Sequence, residues 1–257
     1  TAPNPEFGAI FTYYLDEVPK TKKQERLKKE KELFKEGEPI PQPTTGQLRE
    51  EEKEIPPVLV FTITDEDGNV VRKLYENPST GINRTSWNLR YQGKNPVRLR
   101  GDKFNPKSDG SSGMYALPGT YYVSMSMDHN GEVTELAGPV AFVAKPLENT
   151  TLPAPDREAL VAYQDKVAEL ARTMRGAENY MEDLMEKVAH IRQALHNTPK
   201  APADLSQKAR KLAESLEEVE FEFNGTPAKA SWEEVPPEPV PLNHRMNTIA
   251  YSHWGST

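Results

Sequence analysis

The chain has 257 residues, of which 36 % are apolar, with 23 prolines and no cysteine. That length holds one large domain or two ordinary ones, and the lack of cysteine removes disulfides, thiolate chemistry and cysteine-held metals. A net charge of −7 and a pI near 5.4 argue against a nucleic-acid binder, which carries a basic stripe, and no apolar run of about 18 residues is present to span a membrane.

Residues 1–18 open abruptly on Thr1-Ala-Pro-Asn-Pro5, without a start methionine or signal peptide, and read as part of a longer protein. Phe7-Gly-Ala-Ile-Phe-Thr-Tyr-Tyr-Leu15 is aromatic and β-branched, bounded by proline and acid, and predicts the first strand of a β-sandwich. Residues 19–57 change character. Between 20 and 36, eight basic side chains from Lys20 to Lys35 interleave with four glutamates. This predicts a solvated helix supported by i,i+4 pairs, each worth roughly 0.2–0.5 kcal/mol. Residues 37–57 hold five prolines and the acidic cluster Glu50 to Glu54, and read as a linker or surface excursion.

Residues 58–146 carry the strand signals of an Ig-like antiparallel β-sandwich. Val58 to Thr64 and Asn69 to Tyr75 are joined at Asp67-Gly68, a dipeptide that tolerates the φ of a tight hairpin turn. In Gly81 to Leu89, Asn83, Thr85, Trp87 and Leu89 share one face, and Trp87 is the best core candidate because it can bury about 150–250 Å². Residues 91–115 are long, polar and glycine-rich, the signature of a functional or disordered loop. Pro118-Gly119 has turn chemistry, Thr120 to Met127 predicts a strand, Asp128-His-Asn-Gly131 a turn, and Glu132 to Lys145 the closing strand.

After a hinge at Pro146 to Pro155, residues 156–223 turn helical. Leu160, Tyr163, Val167, Leu170, Met174, Ala177, Met181, Leu184, Val188, Ile191 and Leu195 alternate steps of three and four, which predicts one long helix with a coiled-coil seam, capped by Asp156. Asn197 to Pro202 turns the chain, and Leu205, Ala209, Leu212, Leu216, Val219 and Phe223 continue the spacing. The pair predicts a long antiparallel helical hairpin. Residues 224–257 form a Pro-rich return carrying Trp232, then the start of a third helix at Leu242, Met246, Ile249 and His253. The result is an incomplete bundle, to be completed by a protein partner or by the remainder of a parent chain.

No catalytic constellation, metal-ligand spacing or phosphate-cradling glycine loop is present, so no enzyme activity, cofactor or metal is expected. Asp65-Glu-Asp-Gly-Asn69 lacks the closing glutamate of a calcium loop in register and reads as a turn. Arg100-Gly-Asp102, an adhesion tripeptide elsewhere, reads here as surface loop. Asn83-Arg-Thr, Asn149-Thr-Thr and Asn224-Gly-Thr match glycosylation acceptors, which matter only in a eukaryotic secretory setting. The contact surface is placed on the heptad seam, at Tyr163, Leu170, Met181, Leu184, Leu212 and Leu216, with Trp232, because exposed apolar stripes find partners. A second ligand class is carbohydrate, held by an aromatic platform of Trp87, Tyr91 and Tyr115.

The pattern Asp67-Gly-Asn-Val-Val-Arg72, then Gly-Ile-Asn-x-x-x-Trp-Asn-Leu89, then Leu-Pro-Gly-Thr-Tyr-Tyr-Val123 resembles the Ig-like domain of the flagellar hook-capping family. The order of strand, sandwich and heptad hairpin is similar to the C-terminal region of large exported bacterial proteins with sortilin-like, Asp-box (BNR) propellers, often labelled glycosyl hydrolases. The resemblance implies a non-catalytic accessory region, periplasmic or at the cell surface, which positions a propeller or docks it into an assembly. The alternative it implies is a carbohydrate-binding module of a glycoside hydrolase. No Asp-box occurs in this chain, so no functional residue is carried over.

Overall fold

A computed structural model describes residues 7–98, 103–147, 155–227 and 238–251. They form a mixed fold of antiparallel sheets and helices, in two compact units: 7–93 with 103–147, and 94–98 with the residues from 155 onward.

In the first unit, β1 (Ala9–Leu15) pairs antiparallel with β4 (Gly81–Trp87), Ala9 opposite Trp87 and Leu15 opposite Gly81. β2 (Val58–Thr64), β3 (Val70–Glu76), β7 (Gly119–His129) and β8 (Glu132–Ala144) form a second antiparallel sheet in the order β3-β2-β7-β8. Turn chemistry sets both of its hairpins. Gly68 takes φ 81° after Asp67, with a register shift at Ile63/Thr64. At the β7–β8 turn Asn130 and Gly131 both have positive φ, 55° and 83°, as a two-residue primed turn requires.

Both sheets feed one core: Leu15 from β1, Trp87 from β4, and Leu59, Phe61, Ile63, Val71, Leu74, Tyr121, Met125, Met127 and Ala144 from the larger sheet. Alternation in β4 buries Thr85 and Trp87 and leaves Ile82 78 % exposed. Trp87 is fully buried, its ring edge-on to Tyr121 and Phe142, with Nε1 donating to the Arg90 carbonyl at 2.9 Å. The Tyr121 hydroxyl donates to the carbonyl of Leu117, four residues back, at 2.6 Å. Burial first, and the nearby Tyr91 second, hold the Tyr121 pKa well above 10.0, so the hydroxyl remains a donor. Replacing Tyr121 by Phe leaves the Leu117 carbonyl unpaired inside the fold. Tyr121→Phe is therefore expected to lower unfolding free energy by about 1–3 kcal/mol, measured by urea denaturation.

The stretch read as a 91–115 loop is tied at its ends. β5 (Arg90–Gln92) pairs with β6 (Ser112–Tyr115), and the Asp109 carboxylate accepts from the Tyr75 amide at 2.7 Å. Arg72, buried on β3, donates to the Ser111 carbonyl at 2.7 Å and anchors the same return. Arg100-Gly-Asp102 lies outside the described residues.

The charged segment forms α1 (Lys22–Glu36), as its pattern predicts. The following stretch, read as a linker, also contains a helix, α2 (Thr45–Lys53). Each is opened by a capping box, Thr21 with Gln24 and Thr44 with Gln47, in which side chains satisfy backbone donors reciprocally. Two residues join them: Arg26 donates through Nε and Nη2 to both Glu51 oxygens, at 2.6 and 2.9 Å, and through Nη1 to Glu30 at 2.6 Å, while Lys22 pairs with Glu50 at 3.6 Å and its amide donates to Glu54 at 2.6 Å. The hydrogen bond from Arg26 holds the Glu51 carboxyl below its ordinary 4.5. A depressed folded-state value stabilises fully above 4.5 and is lost as pH falls below it. Amide exchange in α1 and α2 is accordingly expected to accelerate on acidification through the carboxylate range, and Glu51→Gln should weaken that pH dependence, the remainder coming from Glu50, whose carboxyl Lys53 and Lys22 also hold below its ordinary value.

The second unit contains α3 (Arg157–Asn197), α4 (Ala203–Asn224) and α5 (Leu242–Tyr251). Asp156 caps α3, its carboxylate accepting from the Ala159 amide at 2.9 Å. Residues 94–98 belong with α3: Lys94 pairs with Asp165 at 2.6 Å, Arg175 donates to Asn95, and Arg98 donates to Asn179 at 3.2 Å. α5 is the third helix that the spacing from Leu242 predicts; His253 lies outside the described residues.

Candidate partner-binding surface

The heptad pattern of α3 resolves into two columns of side chains, each repeating every seven residues. Leu160, Val167, Met174, Met181, Val188 and Leu195 form the first, and all are buried or half-buried. Tyr163, Leu170, Ala177, Leu184 and Ile191 form the second, and all but Leu184 are exposed. α4 divides the same way. Ala209 and Leu216 are buried and Phe223 half-buried, whereas Leu205, Leu212 and Val219 are exposed. In a two-stranded coiled coil both columns of such a seam face the neighbouring helix; here the first column is covered and the second stays largely at the surface.

The buried columns meet. Met181, Val188 and Leu216 form a core, with Leu184, Met185, Ala213 and Phe223 packed on it. α5 adds the buried Met246, and its Asn243 donates to Glu178 at 2.9 Å and to Asn224 at 2.8 Å. The residues expected to contact a partner therefore separate. Met181, Leu184 and Leu216 belong to the packing within the chain, Tyr163, Leu170 and Leu212 face outward, and Trp232 lies outside the described residues. Ile191, Leu205 and Val219 share the outward columns. They were legible in the same seven-residue spacing, which a single list of heptad positions does not divide into an inner and an outer half. Leu170, Ile191, Leu205, Leu212 and Val219 are each between 42 and 50 % exposed. Beside Val219, α4 presents Glu214, Glu217, Glu218, Glu220 and Glu222, with no basic residue from Leu212 to Asn224.

The aromatic platform considered for carbohydrate does not assemble. Trp87 is wholly inside the core, Tyr91 is half-buried with its hydroxyl accepting from the Leu117 amide at 3.3 Å, and the exposed Tyr115 has the Arg90 guanidinium over its ring at 3.7 Å. The Asp65 carboxylate is occupied by its own turn, accepting from the amides of Asp67 and Asn69 at 3.1 and 2.8 Å and from the Asn69 side chain at 3.1 Å. Among the described residues no group of three His, Cys, Asp or Glu side chains is placed to hold a metal ion, and no helix is long and apolar enough to cross a membrane. No protein-family model, curated protein or solved structure matches the chain.

The division between columns is measurable. Met181→Ala is expected to cost about 2–5 kcal/mol, the transfer and cavity terms of a buried side chain. Leu212→Ala, on the outer column, is expected to cost less than about 1 kcal/mol. Urea unfolding of the two variants distinguishes inner from outer.

Proposed function

We propose that this chain is a non-catalytic interaction region of an exported bacterial protein. In this reading the first unit is an Ig-like β-sandwich that serves as a rigid mount. The helices are a hairpin whose outer columns dock a helical partner, either a separate protein or another part of the parent chain. Such a region positions a propeller or joins it to a cell-surface assembly. The Tyr121–Leu117 hydrogen bond supports the first assignment, because a tyrosine bonded to backbone a few residues upstream is a hallmark of these sandwiches, as is a buried tryptophan in the core.

The docking role is carried by one observation. The apolar columns at Leu170 and Ile191 on α3, and at Leu205, Leu212 and Val219 on α4, repeat at the same seven-residue spacing as the columns that build the helical core, yet remain about half exposed. Their periodicity is the one an α-helical partner recognises through its own heptad face. The glutamates of α4 favour a partner helix with basic residues flanking that face.

Photo-crosslinking of the native protein tests it. A photoreactive residue at Leu170 or Leu212 is expected to capture one defined segment with apolar residues at heptad spacing, identified by peptide sequencing. The same group at Lys208, on the solvated side of α4, is expected to capture none. Equal and heterogeneous labelling at all three positions would sink the docking role.

A further inference from the structure

β1 is paired on one side only. β4 takes one edge of Ala9–Leu15, and no described strand takes the other. Free sheet edges are normally guarded by charge, proline or bulges, because their unpaired amides and carbonyls template another strand. The other sheet follows that rule. β8 carries Glu132, Glu135 and Pro139, and its register shifts twice against β7; β3 carries Arg72 and Lys73, with a shift at Ile63/Thr64. β1 carries no guard. Its sequence Ala-Ile-Phe-Thr-Tyr-Tyr-Leu has no charge and no proline, and its pairing with β4 runs without a shift.

Beside that edge lies a groove of about 480 Å³ whose lining includes Phe11, Phe61, Val123, Met125, Ala137 and Val140, and no charged residue. Val140 is the informative member. It stands opposite Val123, in the unbroken register that sets Phe142 opposite Tyr121 and Ala144 opposite Gly119. By the alternation of a strand, Val140 therefore points to the same side as Phe142 and Ala144, which is the core side. Ala144 is buried and Phe142 half-buried, yet Val140 is 61 % exposed. Ala137, opposite Met125, is exposed as well. This is core surface without a cover, adjacent to a strand edge without a partner.

We propose that the free edge of β1 and this floor receive one extended strand from a partner polypeptide, which completes the smaller sheet. A strand fits because the next strand of a sheet lies roughly 4.8 Å from β1 and meets its unpaired backbone groups with its own, which a helix cannot do. The segment is uncharged on its inward side, because the lining offers no counter-charge and a buried unpaired charge is costly. Its side chains alternate, apolar residues falling on Val123, Met125, Ala137 and Val140 and polar ones facing outward. The complementarity is that of two neutral apolar faces joined by backbone hydrogen bonds, the β-augmentation mode of recognition. The proposal is independent of the helical docking surface.

The test uses the whole chain and a neutral heptapeptide, acetyl-Thr-Val-Thr-Val-Thr-Val-Thr-amide, with amide hydrogen exchange as readout. At a peptide concentration about ten times its dissociation constant, the amides of β1 that point away from β4 are expected to exchange about tenfold more slowly. The same peptide N-methylated at alternate residues keeps its side chains but cannot pair, and is expected to give no protection. Val140→Lys places a charge on the floor and should abolish protection; this side chain is mostly exposed, so the variant folds, as near-UV circular dichroism will verify. Equal binding of the methylated peptide, protection on β8 in place of β1, or no protection with the unmodified peptide would each overturn the proposal. So would β1 protection without peptide, accompanied by a dimer mass in sedimentation, which would assign the edge to a second copy.

Discussion

The packing of Trp87 is the constraint on which the first unit depends. Its indole lies between the smaller sheet, to which it belongs, and Tyr121 and Phe142 of the larger one, and it is fully buried. An indole in that position must also satisfy its N–H, and it does so on the carbonyl of Arg90, three residues on. That bond requires the chain to turn sharply after β4, and Leu89 accordingly takes φ 55°, the left-handed region that side chains other than Gly, Asn and Asp seldom enter. The turn leads directly into β5, which starts the long polar excursion. One buried aromatic thus joins the two sheets and directs the loop out of the fold.

Gly8 belongs to the same arrangement. With φ 125°, and with the carbonyl of Trp87 only 2.0 Å from where a side-chain carbon would stand, the residue ahead of β1 has room for nothing larger than glycine. That close approach sits at the end of the ladder where Ala9 stands opposite Trp87, and it sets β1 against β4 in its register.

The helical unit is built on a different principle. Its cohesion comes from a repeat, and the packing within the chain covers only half of that repeat. Met181, Val188 and Leu216 satisfy one column per helix, and the second column remains at the surface with an acidic flank along α4. The α1–α2 insertion carries almost no apolar burial and relies on capping boxes and on the Arg26–Glu51–Glu30 cluster.

Much of this was legible in the sequence, because periodicity and turn chemistry are local. Alternation around Trp87 marked the buried face of β4, Asp67-Gly68 and Asn130-Gly131 marked the hairpins, and eleven residues in steps of three and four marked α3. The helix α2 was hidden by the five prolines that flank it, although Thr44 and Gln47 spelled its capping box. The tertiary structure alone decided what each pattern is used for. A heptad position reads the same whether it faces a neighbour within the chain or open solvent, so only packing separates Met181 and Leu216 from Leu170 and Leu212. An aromatic reads the same in a core and on a platform, so only burial excludes Trp87 from binding. An edge is a property of the sheet rather than of the strand, and the open side of β1 and the uncovered Val140 became visible only once the strands were in order.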